Sequence, residues 1–308
     1  MNEINIIMYH YIRPATDNKY PGIKVLEFNA FKRQLDYLQE RFTIISVDQI
    51  LANINNKSAL PKNACWLTFD DGYKDHYNYV FPELKKRKLQ GSFFPPRNAV
   101  KNSEILDVNL IHHILSKCKN ISKLRVSLDK LCLDASIKSS ELKHFWNKYG
   151  VPNRWDNETT IYIKRMLQHV LPEETRNFIT QKLFQEYVGV SQKELSNELY
   201  MSVSEVRKLV KEGMYVGSHG SRHYWLDRIT KEKQRIDIQD SLEFLEDVGA
   251  PTKNWVMCYP YGAYNSDTLS LINSLGAKIG ITCEARKANL DTDNQLILPR
   301  FDTNDFPQ

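Results

Sequence analysis

Two pairs of reactive side chains occupy corresponding places in this sequence. Asp70 and Asp71 directly follow one apolar run, and His219 and His223 follow another. Two histidines four residues apart lie on one face of a turn or helix, as two ligands of a single metal ion must. One carboxylate can supply a third ligand, which leaves the second free to move a proton. Two histidines, one acid and a water molecule are the ligand set of a catalytic zinc site.

The segments around these residues resemble motifs of a known family, the polysaccharide deacetylases, also called the NodB-homology or carbohydrate esterase 4 group. Residues 68–72, Thr-Phe-Asp-Asp-Gly, are similar to the first motif of that family. Residues 219–223, His-Gly-Ser-Arg-His, are similar to its His-x-x-x-His metal motif. Residues 259–262, Tyr-Pro-Tyr-Gly, resemble the third motif, and residues 8–12, Met-Tyr-His-Tyr-Ile, resemble the start of many bacterial members.

The resemblance covers roughly residues 1–96 and 201–306 and implies a metal-dependent N-deacetylase. On that basis Asp71, His219 and His223 would hold one divalent ion, with zinc as the default. The metal would lower the pKa of its water and polarise the acetyl oxygen.

The same resemblance implies roles for four more residues. Asp70 would act as the general base that takes a proton from the attacking water. The backbone N–H of Tyr261 would complete the oxyanion pocket. The side chain of Tyr261, together with Pro260 and Tyr73, would contact the acetyl group or the sugar.

Two positions depart from the family pattern. The arginine that usually stands two residues before the proline of the third motif, where it pairs with the general base, is Cys258 here. The last motif usually reads Leu-x-His and supplies the general acid, but this chain has Arg300 in place of the histidine. A guanidinium does not give up its proton near neutral pH, so either activity is lost or the roles have moved. We favour moved roles, with Arg300 providing positive charge near Asp70 and His10 as the candidate acid. His10 could equally orient a neighbour by a hydrogen bond.

Simpler interpretations of these residues remain open from the residues alone. Asp70 or Asp71 could cap a helix that begins near Tyr73. Pro260 and Gly262 could be ordinary turn residues. The whole protein could be a catalytically inactive carbohydrate-binding protein, or a hydrolase of another amide such as a formamido sugar or a non-sugar amide.

The elements that must position these residues form an alternating pattern. Short apolar runs alternate with amphipathic stretches, which favours a parallel sheet covered by helices. Seven or eight such units predict an α/β fold, a distorted or incomplete (β/α) barrel of seven or eight parallel strands, with its catalytic groups at the carboxyl ends of the strands. The predicted strands are Ile4–Tyr9, Phe42–Ser46, Cys65–Phe69, Gly91–Pro95, Met214–Ser218, Trp255–Tyr259, Lys278–Cys283 and Leu296–Pro299.

Residues 98–200 interrupt the alternation. This segment contains no convincing strand, and its apolar spacing predicts several helices. We therefore predict a single deacetylase domain over residues 1–308, with residues 98–200 as a helical insertion or cap. We expect the insertion to cover part of the groove and to make a closed pocket. The helical patterns in this segment are Val108–Leu115, Ser140–Tyr149, Ile161–Leu171 and Glu174–Tyr187.

The charge, the apolar runs and the cysteines bear on the partners and the location of the protein. The formal charge of +5 is spread over mixed acids and bases, which argues against a nucleic-acid partner. No apolar run reaches the length of a signal peptide core or a membrane span. The five cysteines are scattered and without metal spacing, which indicates reduced thiols and a cytoplasmic location. We therefore expect the substrate to be a nucleotide-linked, lipid-linked or small acetamido sugar, a precursor of a surface polysaccharide.

Overall fold

The computed structural model describes residues 2–308, which form two compact units. The first unit comprises the described residues up to Asn18, Val25–Glu104 and Ser196–Gln308. The second unit comprises Lys19–Lys24 and Ile105–Leu195. All the described strands belong to the first unit.

The first unit alternates strands and helices along the chain. Its strands are β1 Glu3–Tyr9, β2 Ile12–Arg13, β3 Leu26–Glu27, β4 Thr43–Ile44, β5 Ala64–Asp70, β6 Ser92–Phe94, β7 Tyr215–Val216, β8 Trp255–Cys258, β9 Ala277–Ile281, β10 Ala288–Asn289 and β11 Phe301–Asp302. Its helices are α1 Phe28–Arg41, α2 Val47–Asn56, α3 Phe81–Lys86, α4 Arg97–Lys101, α11 Val203–Lys211, α12 Lys231–Asp247 and α13 Ser266–Ser274.

The second unit is helical throughout its regular structure. Its helices are α5 Asp107–Lys117, α6 Ile121–Asp134, α7 Ser139–Tyr149, α8 Glu158–Arg165, α9 Glu173–Tyr187 and the first half of α10 Gln192–Leu199. A π-helical turn, Met166–Val170, continues α8. Within residues 2–308, no helix is both long and apolar enough to cross a membrane.

A mostly parallel sheet forms the centre of the first unit. β1 pairs in parallel with β5 and β11, β5 pairs with β4 and β6, and β6 pairs with β7. β8 and β9 form a second parallel pair, and β10 adds to β1 in the antiparallel direction. A single parallel bridge joins Ser218, just after β7, to Met257 of β8, and another joins Ile281 of β9 to Leu298, before β11. The predicted α/β fold, a distorted or incomplete (β/α) barrel, is therefore confirmed. Within residues 2–308 the ladders do not form one continuous closed barrel.

Strand β5 shows why the apolar runs become central strands. All seven of its residues are buried, because both of its faces pack against other parts of the core. Leu67 and Phe69 pack toward the cluster that includes helix α1, whereas Trp66 packs on the opposite face with residues of β8 and β9. Side chains alternate along a strand, so Asp70 lies on the same face as Trp66.

The last predicted strand, Leu296–Pro299, is wrong. Residues Gln295–Ile297 instead form one turn of 3₁₀-helix, which begins where the Asn294 side chain accepts a hydrogen bond from the Leu296 N–H at 2.9 Å. Leu298 alone bridges to β9, and Pro299 has no N–H to extend the pairing. The chain returns to the sheet only at β11.

Candidate metal centre and active site

Asp71, His219 and His223 converge in the first unit, with all three side chains almost fully buried. Asp71 Oδ1 lies 3.3 Å from His219 Nε2 and 3.2 Å from His223 Nε2. The three potential ligand atoms all lie within 4.8 Å of one another. These residues come from the end of β5 and from the segment after β7, as expected where neighbouring parallel strands end.

The chemistry of this donor set fits a divalent metal ion. Asp71 Oδ1 is buried and has no hydrogen-bond partner, although two imidazole nitrogens face it. The His219 Nδ1–H can donate to the carbonyl oxygen of Cys258 at 2.7 Å, which leaves the lone pair of Nε2 for a ligand. A buried carboxylate oxygen between two such nitrogens is costly unless a cation or proton satisfies it. Burial opposes ionisation, but the two imidazoles hold the pKa of Asp71 well below its usual range.

The segment that carries the two histidines is held in a strained conformation. His223 has a positive φ of 58°, which a residue other than glycine rarely adopts. The Asp237 carboxylate on α12 accepts hydrogen bonds from the N–H groups of Ser221 at 3.1 Å and Arg222 at 2.8 Å. A Cβ on Gly220 would lie 2.5 Å from Asp237 Oδ2, so glycine is required there. Asp237 therefore fixes the geometry of the metal motif.

Tyr73 supports the ligand carboxylate from the other side. Its hydroxyl donates a hydrogen bond of 2.6 Å to Asp71 Oδ2, and its ring is fully buried. The ring stacks on Tyr11 at 4.0 Å and on Tyr200 at 6.2 Å between centroids. The structure therefore shows Tyr73 in contact with Asp71, with no part of its ring at the solvent, and the substrate contact expected from the sequence stays a prediction.

Asp70 and Arg300 form a buried ion pair beside this centre. Arg300 Nη1 and Nη2 donate to Asp70 Oδ1 and Oδ2, both at 2.9 Å, in the bidentate geometry of the strongest arginine–carboxylate pairs. Arg300 also donates to the carbonyl oxygen of Thr282 at 2.8 Å and to Thr68 Oγ1 at 3.1 Å. Burial opposes ionisation of Asp70, but the Arg300 guanidinium and the His219 imidazole together hold the pKa of Asp70 below its usual value.

A second group of potential ligands, Asp70, His219 and Cys258, also lies within 4.8 Å. Arg300 already neutralises Asp70, and a metal ion there would face the guanidinium charge. Burial raises the pKa of the Cys258 thiol, which disfavours the thiolate that a metal needs. Asp71, His219 and His223 are therefore the better candidate ligand set of the two.

His10 follows β1 and is partly exposed. Its carbonyl oxygen lies 2.8 Å from Nε2 of the buried His76, which stands in the π-helical turn His76–Val80. The imidazole of His10 is close enough to contribute to lowering the pKa of both Asp70 and Asp71. The imidazole of His10 thus lies within electrostatic range of the two carboxylates.

Tyr261 lies in the 3₁₀ turn Pro260–Gly262 with a positive φ of 59°. Its ring stacks on Trp225 with 4.5 Å between centroids and meets the edge of His223 at 4.6 Å. Tyr261 is partly exposed, whereas Pro260 is buried and begins the turn. Tyr261 therefore lies at the metal centre, and Pro260 shapes the backbone that carries it.

The sequence analysis missed four residues that contact this site. They contribute through contacts distant in sequence, so no local motif marks them. A weak signal existed for one of them, since Asp237 interrupts the buried face of an amphipathic helix, where an acid needs a partner. The missed residues are His76, Trp225, Asp237 and Asn98, whose Oδ1 accepts a hydrogen bond from Ser221 Oγ at 3.0 Å.

Comparison with known sequences gives a consistent result. A sequence profile of the family described as polysaccharide deacetylase matches residues 57–119 and 174–280. The Bacillus subtilis (strain 168) protein YxkH, which is named as a polysaccharide deacetylase, is 23% identical over 99 residues. That alignment covers 32% of this chain and 35% of YxkH, so the chain matches about a third of the length of this relative.

Three solved structures resemble the fold over nearly the whole chain. The Streptococcus pyogenes deacetylase PplD, solved with acetate, has a TM-score of 0.61 at 17% identity and covers 97% of this chain and 92% of its own. IcaB from Ammonifex degensii has a TM-score of 0.57 at 17% identity, with 98% and 91% covered. The de-N-acetylase from Aggregatibacter actinomycetemcomitans has a TM-score of 0.55 at 16% identity, with 97% and 94% covered. At these identities the likeness establishes the fold.

Proposed function

The chain belongs to the polysaccharide deacetylase family, and from this premise we propose that it hydrolyses the N-acetyl group of an acetamido sugar with one divalent metal ion. The observation that carries the proposal is the convergence of Asp71, His219 and His223 beside the Asp70–Arg300 pair. This convergence supports a proposed ligand set that lies beside a carboxylate outside that set.

Asp71, His219 and His223 would hold the ion, with zinc as the default choice for two histidines and one carboxylate. When bound, such an ion supplies Lewis acidity toward the acetyl oxygen and lowers the pKa of water. The hydrogen bonds from Tyr73 to Asp71 and from His219 to Cys258 orient two of the three ligands.

Asp70 acts as the general base and takes the proton of the attacking water on a carboxylate oxygen. Arg300 keeps Asp70 ionised and fixes its plane through two hydrogen bonds, so a lone pair is held in one direction. The cost of this pairing is a less basic carboxylate, because the guanidinium lowers the pKa of Asp70.

The remaining steps need a donor for the oxyanion and an acid for the amine. The backbone N–H of Tyr261 is the proposed oxyanion donor, held in place by the turn Pro260–Gly262. His10 is the proposed acid, because its imidazole lies within electrostatic range of both carboxylates and an imidazolium can give a proton to the departing amine. Arg300 is engaged by Asp70 and keeps its proton.

A small or carrier-linked acetamido sugar, nucleotide- or lipid-linked, remains our proposed substrate, as a precursor of a surface polysaccharide. The cytoplasmic location expected from the sequence also stays a prediction. A panel of acetylated sugar nucleotides, lipid-linked saccharides and chitin oligomers, analysed by mass spectrometry, would rank these substrates. Faster turnover of long polymers than of any small sugar would contradict the precursor assignment.

Metal content tests the ligand set directly. Protein purified with zinc should carry about one equivalent, and His223→Ala should carry much less. His144→Ala, which removes an exposed histidine of α7, is the matched control and should keep the metal. Equal zinc in the wild type and His223→Ala would refute the assignment.

Turnover tests the base. Asp70→Asn should keep zinc but lose activity by a factor of roughly one hundred or more, as for loss of a general base. A near-normal rate on a substrate that the wild type turns over well would show that Asp70 only positions Arg300.

A further inference from the structure

Exposed apolar side chains are concentrated in the second unit. Among residues 2–308, six of the seven large hydrophobic side chains that are most exposed belong to this unit, and the seventh is Ile236 on α12. Single exposed apolar residues are normal on any protein surface, so the concentration in one unit is the informative feature. The six are Val126, Leu133, Val151, Trp155, Phe178 and Val190.

Positive charge is concentrated in the same unit. The second unit holds 16 Lys and Arg residues against 10 Asp and Glu residues, a formal charge of +6. The first unit holds 26 against 27, a formal charge of −1, so the net charge of the whole chain comes from the helical unit. An excess of this size creates an attraction for anionic partners that the first unit lacks.

Helix α6 combines exposed apolar residues and lysines on its exposed face. Its other face is buried in the helical unit through Leu124, Leu128 and Cys132. The opposite side has six exposed residues, which include Ser122 and the acidic Asp134; the other four recur at steps of three, four and three and align along one side of the helix. Val126 is 67% exposed and Leu133 is 46% exposed on that side. We call this set, Lys123, Val126, Lys130 and Leu133, the outer face of α6.

We propose that the outer face of α6 docks on an anionic lipid surface. Val126 and Leu133 would enter the boundary between headgroups and acyl chains, while the stems of Lys123 and Lys130 lie along it with their ammonium groups at the lipid phosphates. Each lysine near an anionic bilayer adds attraction, and the charge of the whole unit adds more.

Charge also favours a lipid surface over a second copy of the chain as the partner of this face. Pairing two chains through the outer face of α6 would bring two helical units together, each with a formal charge of +6, and their repulsion opposes association. The proposal does not depend on the proposed deacetylase activity, and its test needs no substrate.

Vesicle flotation with the full chain tests the proposal. Phosphatidylcholine vesicles with about one quarter phosphatidylglycerol should bind the protein, vesicles of phosphatidylcholine alone should bind it much less, and added salt should weaken binding. The double variant Val126→Ser with Leu133→Ser should bind roughly tenfold or more weakly, because two apolar side chains no longer leave water. Lys123→Gln with Lys130→Gln should weaken binding by roughly tenfold as well.

Ile236→Ser is the matched control, because Ile236 is 48% exposed and lies in the first unit. It should leave vesicle binding unchanged, and the circular dichroism of every variant should match the wild type. Failure of the wild type to bind anionic vesicles at low salt would overturn the proposal, as would equal losses in Ile236→Ser. A dimer in solution that dissociates in the Val126→Ser, Leu133→Ser variant, without lipid binding, would assign the face to a protein contact instead.

Discussion

Replacement of Arg300 by methionine is the sharpest test of the ion pair beside the metal centre. Arg300→Met keeps a flexible apolar stem but removes four hydrogen bonds, two of them to Asp70. Neither side chain of the pair is more than 2% exposed, so water cannot replace the lost guanidinium. The variant would leave an uncompensated carboxylate in the core.

The magnitude follows from this burial. Removal of one member of a buried pair costs about 3–5 kcal/mol of unfolding free energy, because the remaining charge stays desolvated. Asp70→Asn in the Arg300→Met background removes that charge, so the second substitution should recover about 2–3 kcal/mol. Arg300→Lys should fall between the wild type and Arg300→Met, because lysine keeps the charge but lacks the planar fork.

Urea unfolding at pH 7, followed by tryptophan fluorescence and circular dichroism, measures these values. The pKa of Asp70 is depressed, so the contribution of the pair is present above the usual range of aspartate and is lost as pH falls through the lower folded-state value. Arg235→Met, which breaks an exposed pair with Glu232, is the control and should destabilise the protein far less than Arg300→Met, because water solvates both exposed charges. A coupling energy below about 0.5 kcal/mol between Asp70 and Arg300 would refute the reasoning.

Three further outcomes follow from contacts around the site. Tyr73→Phe removes the hydroxyl that orients Asp71, and chelator competition should show zinc affinity lowered roughly 10- to 100-fold; unchanged affinity would contradict that role. Gly220→Ala should lower both zinc content and melting temperature, because the new Cβ meets Asp237 at 2.5 Å on a backbone with φ of 69°. Burial raises the pKa of Asp75 to about 6, so the folded protein holds the Asp75 proton more tightly than the unfolded chain. As pH rises from 4 to 6, the unfolding free energy of the wild type, measured in urea, should therefore fall by roughly 1–3 kcal/mol relative to Asp75→Asn. Parallel pH curves for the two proteins would count against this.

The central strands could be predicted because their apolar runs are nearly continuous. β1 and β5 are buried on both faces, so burial leaves a strong signal in the sequence. Helix α6 gave no such signal, because Val126 and Leu133 on its outer face blur the periodicity of its buried face. The first turns of helix α12, from Lys231, also gave little signal, since they are mostly polar and Thr230 caps them.

The candidate metal ligands could be proposed from the sequence because metal chemistry requires both the residue types and the spacing. Two histidines at i, i+4 and a paired carboxylate are informative before any contact is known. The residues that orient these ligands are different, because an ordinary tyrosine or aspartate becomes a support only when folding brings it to the site. Tyr73 and Asp237 are of this kind.

The relation between Cys258 and Arg300 shows what only the fold could resolve. The sequence lacks an arginine where the family usually has one, and has an arginine where a histidine is usual. β11 pairs with β1, and β1 pairs with β5, so the residue before β11 lies close to the end of β5, which carries Asp70. Arg300 reaches Asp70 from there. The positive charge that is absent at Cys258 is thus supplied to the same carboxylate by Arg300, from the position where the family usually has its histidine.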